Sequence, residues 1–355
     1  MNTFKFSLLL LSFSSLVHAG KDFEKTPREI YDMSDGFPYT GKGAKVAILD
    51  TEYNFYNPIL KGKIAKVYDA VEDRMYTAED YPASQYLSHG TLVAQTIAEI
   101  APDCEIYPIM IRTPAYHLTP EQNDNFERAF KYVSEISPHV VNMSYEFGGV
   151  NMESLTPHFY KMAENQTVFM KSADNHGTTI KPAYAEDEKF KPYICQVGAL
   201  STSGCPLVKN YRAPEGHELF RPGSSNFPAS DFEGNFFWAR GHYNLLKQPS
   251  SYEKSFHQTS AATPLMAGAY ALLVEAMPSV DGETRLKYQM DASRLATYEN
   301  RFSYYQKRHD EESSKGFAKK DMEEHPHLDI NKPLLEYLPQ EIEEPGSLRK
   351  RLESL

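Results

Sequence analysis

The sequence predicts an α/β fold: a doubly wound, mostly parallel sheet with helices on both faces. Three observations lead there. Short apolar runs rich in β-branched residues recur along the chain. Between them lie segments whose apolar residues repeat at helical spacing, the alternation of βαβ units. The 355-residue chain is also 41% hydrophobic, enough for one large core and further material besides.

The polar stretch 20–42 runs into the turn-like TGKG, and KVAILD (45–50) then reads as the first buried strand. HGTLVAQTIAEI (89–100) places Leu92, Val93, Thr96, Ile97 and Ile100 at helical spacing. CEIYPIMI (104–111) is a second strand, EQNDNFERAFKYVSEIS (121–137) an amphipathic helix, and HVVNMS (139–144) a third strand. ESLTPHFYKMAE (153–164) reads as helix, and TVFMKSA (167–173) and YICQVGAL (193–200) as strands. Residues 201–257, rich in Pro, Gly, Ser and aromatics, read as long loops. HQTSAATPLMAGAYALL (257–273) leads from small residues into an apolar helix, and ETRLKYQMDASRL (283–295) is the last helix. There is no internal repeat.

Four regions follow. Residues 1–19 put Lys5 before an apolar run and end in Val17-His18-Ala19, the small-residue pattern of a signal peptidase site. A cleaved signal is expected, hence export to a secreted or periplasmic location; the run is short for a membrane anchor. An N-terminal arm (20–42) and one large domain (43–295) come next. The tail, 296–355, carries 13 acidic and 10 basic side chains and reads as solvated helix or partly disordered chain. Net charge is −11, which excludes general nucleic-acid binding. Cys104, Cys195 and Cys205 are too few for a disulfide scaffold, and none has metal-ligand spacing. A Cys195–Cys205 bridge fits an oxidising compartment, but the odd count leaves pairing open.

In open α/β sheets, sites form at the carboxyl ends of strands. Asp50 closes the first strand, His89 heads the next helix, Asn175 follows TVFMKSAD, and Ser260 opens the long apolar helix. Each has an ordinary reading: a turn carboxylate, a helix-end histidine, a loop amide, a serine cap. Together they are the nucleophile, base, orienting carboxylate and side-chain donor that serine acyl transfer requires.

The words around these residues carry a resemblance. TGKGAKVAILDT, SHGTLVA, VVNMS (140–144), ADNHG, VGAL (197–200) and TSAATPLMAGAYALL are similar, in that order, to those of the subtilisin-like serine endopeptidases. FFWARG (236–241) falls where that family has a strand ending in a glycine loop. The resemblance covers residues 40–295. It implies that Ser260 attacks the scissile carbonyl, that His89 is general base and then acid, and that Asp50 orients the imidazole. Asn175 and the Ser260 N–H are implied as the oxyanion hole. Ser144, Tyr145 and Glu146, with Ser172, Ala173 and Asp174, are implied to line a cleft that pairs an extended peptide. The implied protein is an exported endopeptidase acting on proteins or peptides, with no nucleic-acid partner, no membrane contact after signal removal and no cofactor. Calcium is common in the family, but no dense Asp/Asn loop here nominates ligands, and no metal site is expected.

The chain departs from the family pattern at Glu52, Leu92, Gln95, Asp174 and Gln258, and residues 20–42 are short for an inhibitory propeptide. Gln258 stands where glycine serves a backbone angle or a close substrate approach. Asp174 repels a developing oxyanion if its carboxylate turns inward; the ordinary case turns it to solvent. Glu146 reads as a solvated loop carboxylate before it reads as a contact for a basic substrate side chain. The competing expectation is a degenerate member that binds a peptide without cutting it. Retention of all four chemical groups favours the enzyme. A nucleotide site at TGKGAKVAILD fails, because its glycines precede the strand instead of following one.

Overall fold

The computed structural model describes residues 25–31, 33, 37–64, 66–82, 88–111, 120–146, 152–200, 225–229, 231–245 and 255–294. The expected signal, the charged tail and Cys205 lie outside these residues. The strands are β1 (Lys45–Asp50), β2 (Lys66–Asp69), β3 (Arg74–Thr77), β4 (Glu105–Met110), β5 (Val140–Met143), β6 (Val168–Ser172), β7 (Thr179–Ile180), β8 (Ile194–Leu200), β9 (Phe227–Pro228), β10 (Asn235–Arg240), β11 (His242–Asn244) and β12 (Ser255–His257). The helices are α1 (Pro27–Ile30), α2 (His89–Ile100), α3 (Pro120–Ile136), α4 (Met152–Glu164), α5 (Thr259–Ala276) and α6 (Gly282–Arg294).

Eight strands form one sheet in the order β10-β8-β6-β5-β1-β4-β2-β3. Every pairing in it is parallel except β2 with β3. Side chains alternate across β1, as pleating requires. Val46 and Ile48 join the core beneath α2 and α5, whereas Ala47 and Leu49 join the core beneath α3 and α4. Burial on both faces is why KVAILD is apolar throughout instead of alternating. Each fully buried Val, Leu or Ile contributes about 1.5–3 kcal/mol.

Helix α5 is buried along nearly its whole length, which its all-round apolar sequence requires. It crosses α2 closely: a Cβ on Gly268 would stand 2.8 Å from Ile100 Cβ, so a larger residue there drives the two helices apart. Its far end is clasped. One Glu275 oxygen accepts from the N–H groups of Thr40 (2.7 Å), Gly41 (2.7 Å) and Lys42 (3.1 Å). The short α1 is fixed by a capping box between Thr26 and Glu29.

Strands β4 and β5 flank β1 on opposite sides, so the strand order reverses around β1. The crevice for ligands therefore opens at its carboxyl end, between Asp50 and the residues that follow β5. The reading of 201–257 as loops is corrected in part: its described portions hold β9, β10, β11 and β12, with β11 and β12 pairing antiparallel. The β2–β3 hairpin was also unforeseen. Cys104 and Cys195 are buried with free thiols, and the Cys195–Cys205 pairing falls outside the described residues, because Cys205 does.

Candidate active site

Asp50 ends β1 and is 1% exposed. Its Oδ1 lies 2.8 Å, and its Oδ2 3.0 Å, from His89 Nδ1, while the Thr51 N–H donates to Oδ1 at 2.7 Å. A buried carboxylate needs such partners. His89 is the first residue of α2, after the cap residue Ser88. Close approach is enforced by Gly90, where a Cβ would meet the Tyr53 ring at 2.8 Å and the Glu52 carbonyl at 2.9 Å. The imidazole packs edge-on against Phe256, 5.6 Å between ring centroids. Burial pushes the His89 pKa down, but the Asp50 charge and hydrogen bond outweigh it, and the net shift is upward.

Ser260 is the second residue of α5. It is not a cap: Gln258 holds the cap position, and the Ser260 hydroxyl donates to the Ser144 carbonyl at 3.1 Å. Ser144 follows β5, whose Met143 registers with Leu49 of β1. The Ser144 carbonyl that holds Ser260 and the Asp50 carboxylate that holds His89 thus come from the ends of neighbouring strands, β5 and β1. Among the described residues the serine hydroxyl bonds Ser144 and not His89. Pro264, four residues on, has no N–H, so the Ser260 carbonyl lacks its usual helical donor.

Asn175 is fixed from the same helix. Its Oδ1 accepts from the Thr259 N–H (3.1 Å) and hydroxyl (2.9 Å), which assigns the amide orientation and turns Nδ2 away from Thr259. The Ala261 and Ala262 N–H groups both bond the Gln258 carbonyl. Among the described residues, no acceptor takes the Ser260 N–H or Asn175 Nδ2. Asn175 is thus anchored beside the N-terminus of the helix that carries Ser260, where the dipole favours negative charge.

Of the residues expected along the cleft, Ser144, Ser172 and Ala173 are buried, and Tyr145, Glu146 and Asp174 are partly exposed. Ser172 Oγ donates to the Tyr145 carbonyl at 3.2 Å, and His176 Nε2 lies 2.8 Å from Glu146 Oε1, so the two walls are cross-linked. Asp174 turns neither inward nor freely to solvent. Its Oδ1 accepts from Lys171 Nζ at 2.8 Å, and Lys171 is fully buried on β6. Both expected departures sit at left-handed backbone, Asp174 at φ 68° and Gln258 at φ 68°, ψ −165°.

The subtilase family profile matches residues 41–313. The chain belongs to the subtilase family. It is accordingly a serine endopeptidase. An intracellular serine protease of Paenibacillus polymyxa is 27% identical over 248 residues, 66% of this chain and 67% of that protein. The nisin leader peptidase of Lactococcus lactis superposes with a TM-score of 0.59 at 13% identity, over 90% of this chain and 94% of that one. The prenylagaramide maturation protease gives 0.57 at 18% identity, over 83% and 94%. These two likenesses show the shared fold. In this subtilase, Thr259 and Lys171 escaped the sequence reading. Thr259 was read only as a small residue before Ser260. The lysine inside the apolar run VFMKS was the available signal for the second.

Proposed function

We propose that this subtilase hydrolyses peptide bonds in proteins through Asp50, His89 and Ser260, with Asn175 Nδ2 and the Ser260 N–H as the oxyanion hole. The observation that carries the reading is the fixing of Asn175 by Thr259, the residue beside the nucleophile. Turnover begins with rotation of Ser260 χ1 by about 120° to the next staggered well, taking Oγ from the Ser144 carbonyl to His89 Nε2. His89 removes the hydroxyl proton as Oγ attacks the carbonyl carbon, then returns it to the leaving amine. Water repeats the cycle on the acyl-enzyme. Asp50 holds Nδ1 protonated and stabilises the imidazolium. The partly exposed Tyr145, Glu146 and Asp174 border the bound peptide.

The catalytic domain is residues 43–295, preceded by a signal (1–19) and an arm (20–42) and followed by the charged tail. Export rests on the first nineteen residues of this chain, since the Paenibacillus relative is named intracellular. The test is a fluorophosphonate probe with Ser260→Ala as control, the adduct located by mass spectrometry. Labelling confined to Ser260 is expected. A folded wild-type protein that reacts no faster than Ser260→Ala would sink the mechanism.

A further inference from the structure

We propose that Lys171 is a positioning residue of the oxyanion hole, holding the Asp174 carboxylate away from the charge that develops beside Asn175. This rests on the triad and oxyanion reading above. Asp174 directly precedes Asn175, so a free carboxylate there adds a like charge next to the oxyanion and raises the barrier. Lys171 Nζ removes that freedom. It donates to the Ser172 carbonyl at 2.6 Å, to Ser172 Oγ at 3.2 Å and to Asp174 Oδ1 at 2.8 Å, three acceptors for the three protons of an ammonium.

The pairing is reciprocal. A fully buried ammonium requires a counter-charge, and Asp174, the acceptor carboxylate, supplies it. The backbone is held from the other side: the Asp174 carbonyl accepts from the Asn226 N–H at 3.0 Å, and Asn226 Oδ1 accepts from the His176 N–H at 2.9 Å. The segment 172–176 is thus pinned by the lysine beneath and by Asn226 beside it. A non-glycine residue at φ 68° is tolerated there because its side chain has one defined place to go.

The test compares Lys171→Met, Asp174→Gly and the double variant in the full chain, using a fluorophosphonate that places its phosphoryl oxygen in the hole. Lys171→Met is expected to lower the maximal phosphonylation rate about 10–100-fold with the probe's half-saturation concentration nearly unchanged. Asp174→Gly removes the repelling carboxylate and is expected to lose clearly less rate than Lys171→Met, and the double variant is expected to recover most of the Lys171→Met loss and to match Asp174→Gly. A pair that is only structural predicts instead that Asp174→Gly falls at least as far as Lys171→Met, because it strands the fully buried Lys171 ammonium whereas Asp174 is partly exposed. Circular dichroism melts accompany each rate. Should Lys171→Met not fold, the other two variants decide, and a double variant that labels much more slowly than Asp174→Gly overturns the proposal, because Lys171 then acts other than through Asp174. An unchanged rate in folded Lys171→Met overturns it alone. No labelling of Ser260 in wild type overturns the oxyanion reading and this proposal together.

Discussion

The two halves of the site are built on opposite terms. On the side proposed to handle the proton, Asp50 and His89 meet through two short contacts, and Gly90 leaves no room for even one added carbon. On the side proposed to stabilise charge, Asp174 and Gln258 occupy backbone angles that glycine suits, and both are larger than the family's usual residue. At Gly90 the first half is a steric fit, although Glu52, Leu92 and Gln95 around it also depart from the family's usual residues. The second has accepted two, each where hydrogen bonds hold the local backbone: Asp174 through Asn226 and Lys171, Gln258 through its N–H to the Gly241 carbonyl at 2.8 Å.

Breaking the first half should cost most. Asp50→Asn is expected to lower kcat/KM by about 10⁴, with the fold retained by circular dichroism. It should also move the acid limb of the pH–rate profile downward. In wild type the Asp50 charge holds the His89 pKa above its usual value of about 6.5, so the neutral base forms only at higher pH. The sign for stability follows: a raised histidine pKa stabilises the fold below about pH 6.5, and that contribution fades as pH rises through the folded value. The melting difference between wild type and Asp50→Asn should therefore shrink with increasing pH.

Breaking the second half costs less. Asn175→Ala is expected to reduce kcat about 10²–10³-fold with KM little changed, measured on any peptide the wild type cleaves. Gln258→Gly sharpens the contrast by improving stability. It relieves about 1–3 kcal/mol of backbone strain against about 0.5–1 kcal/mol of glycine entropy. In a Ser260→Ala background, which prevents self-cleavage, the melting temperature should rise by a few degrees, about 2–4 °C per kcal/mol. The smallest effect is expected at the wall. Glu146→Gln breaks a pair whose side chains are 39% and 49% exposed, and should cost under about 1 kcal/mol in a denaturant titration.

The central strands and long helices were legible because burial leaves a mark: β1 and α2 span the residues their apolar patterns indicate. The β2–β3 hairpin was not, since KVYD and RMYT each carry charge and alternate only briefly. The β11–β12 pairing joins segments separated by ten residues that carry no turn signal strong enough to match them. Within the site, residue types announced Asp50, His89, Asn175 and Ser260. The contacts that orient them did not: Thr259 reaches Asn175 across 84 positions, and the Asp174 side chain could be placed only once Lys171 was seen beneath it.

The Glu275 clasp bears on how the protein comes to be active. It joins the residues that open the domain to the helix that carries Ser260, closing a loop of 235 positions. Contacts of such separation form late, because the chain entropy of closure must be met before they return anything. During synthesis Ser260 emerges after every described strand and before the last two described helices, α5 and α6, are complete. On the proposed mechanism, a chain interrupted before that point holds Asp50 and His89 with nothing for them to activate, so activity waits until the first and last parts of the domain have met.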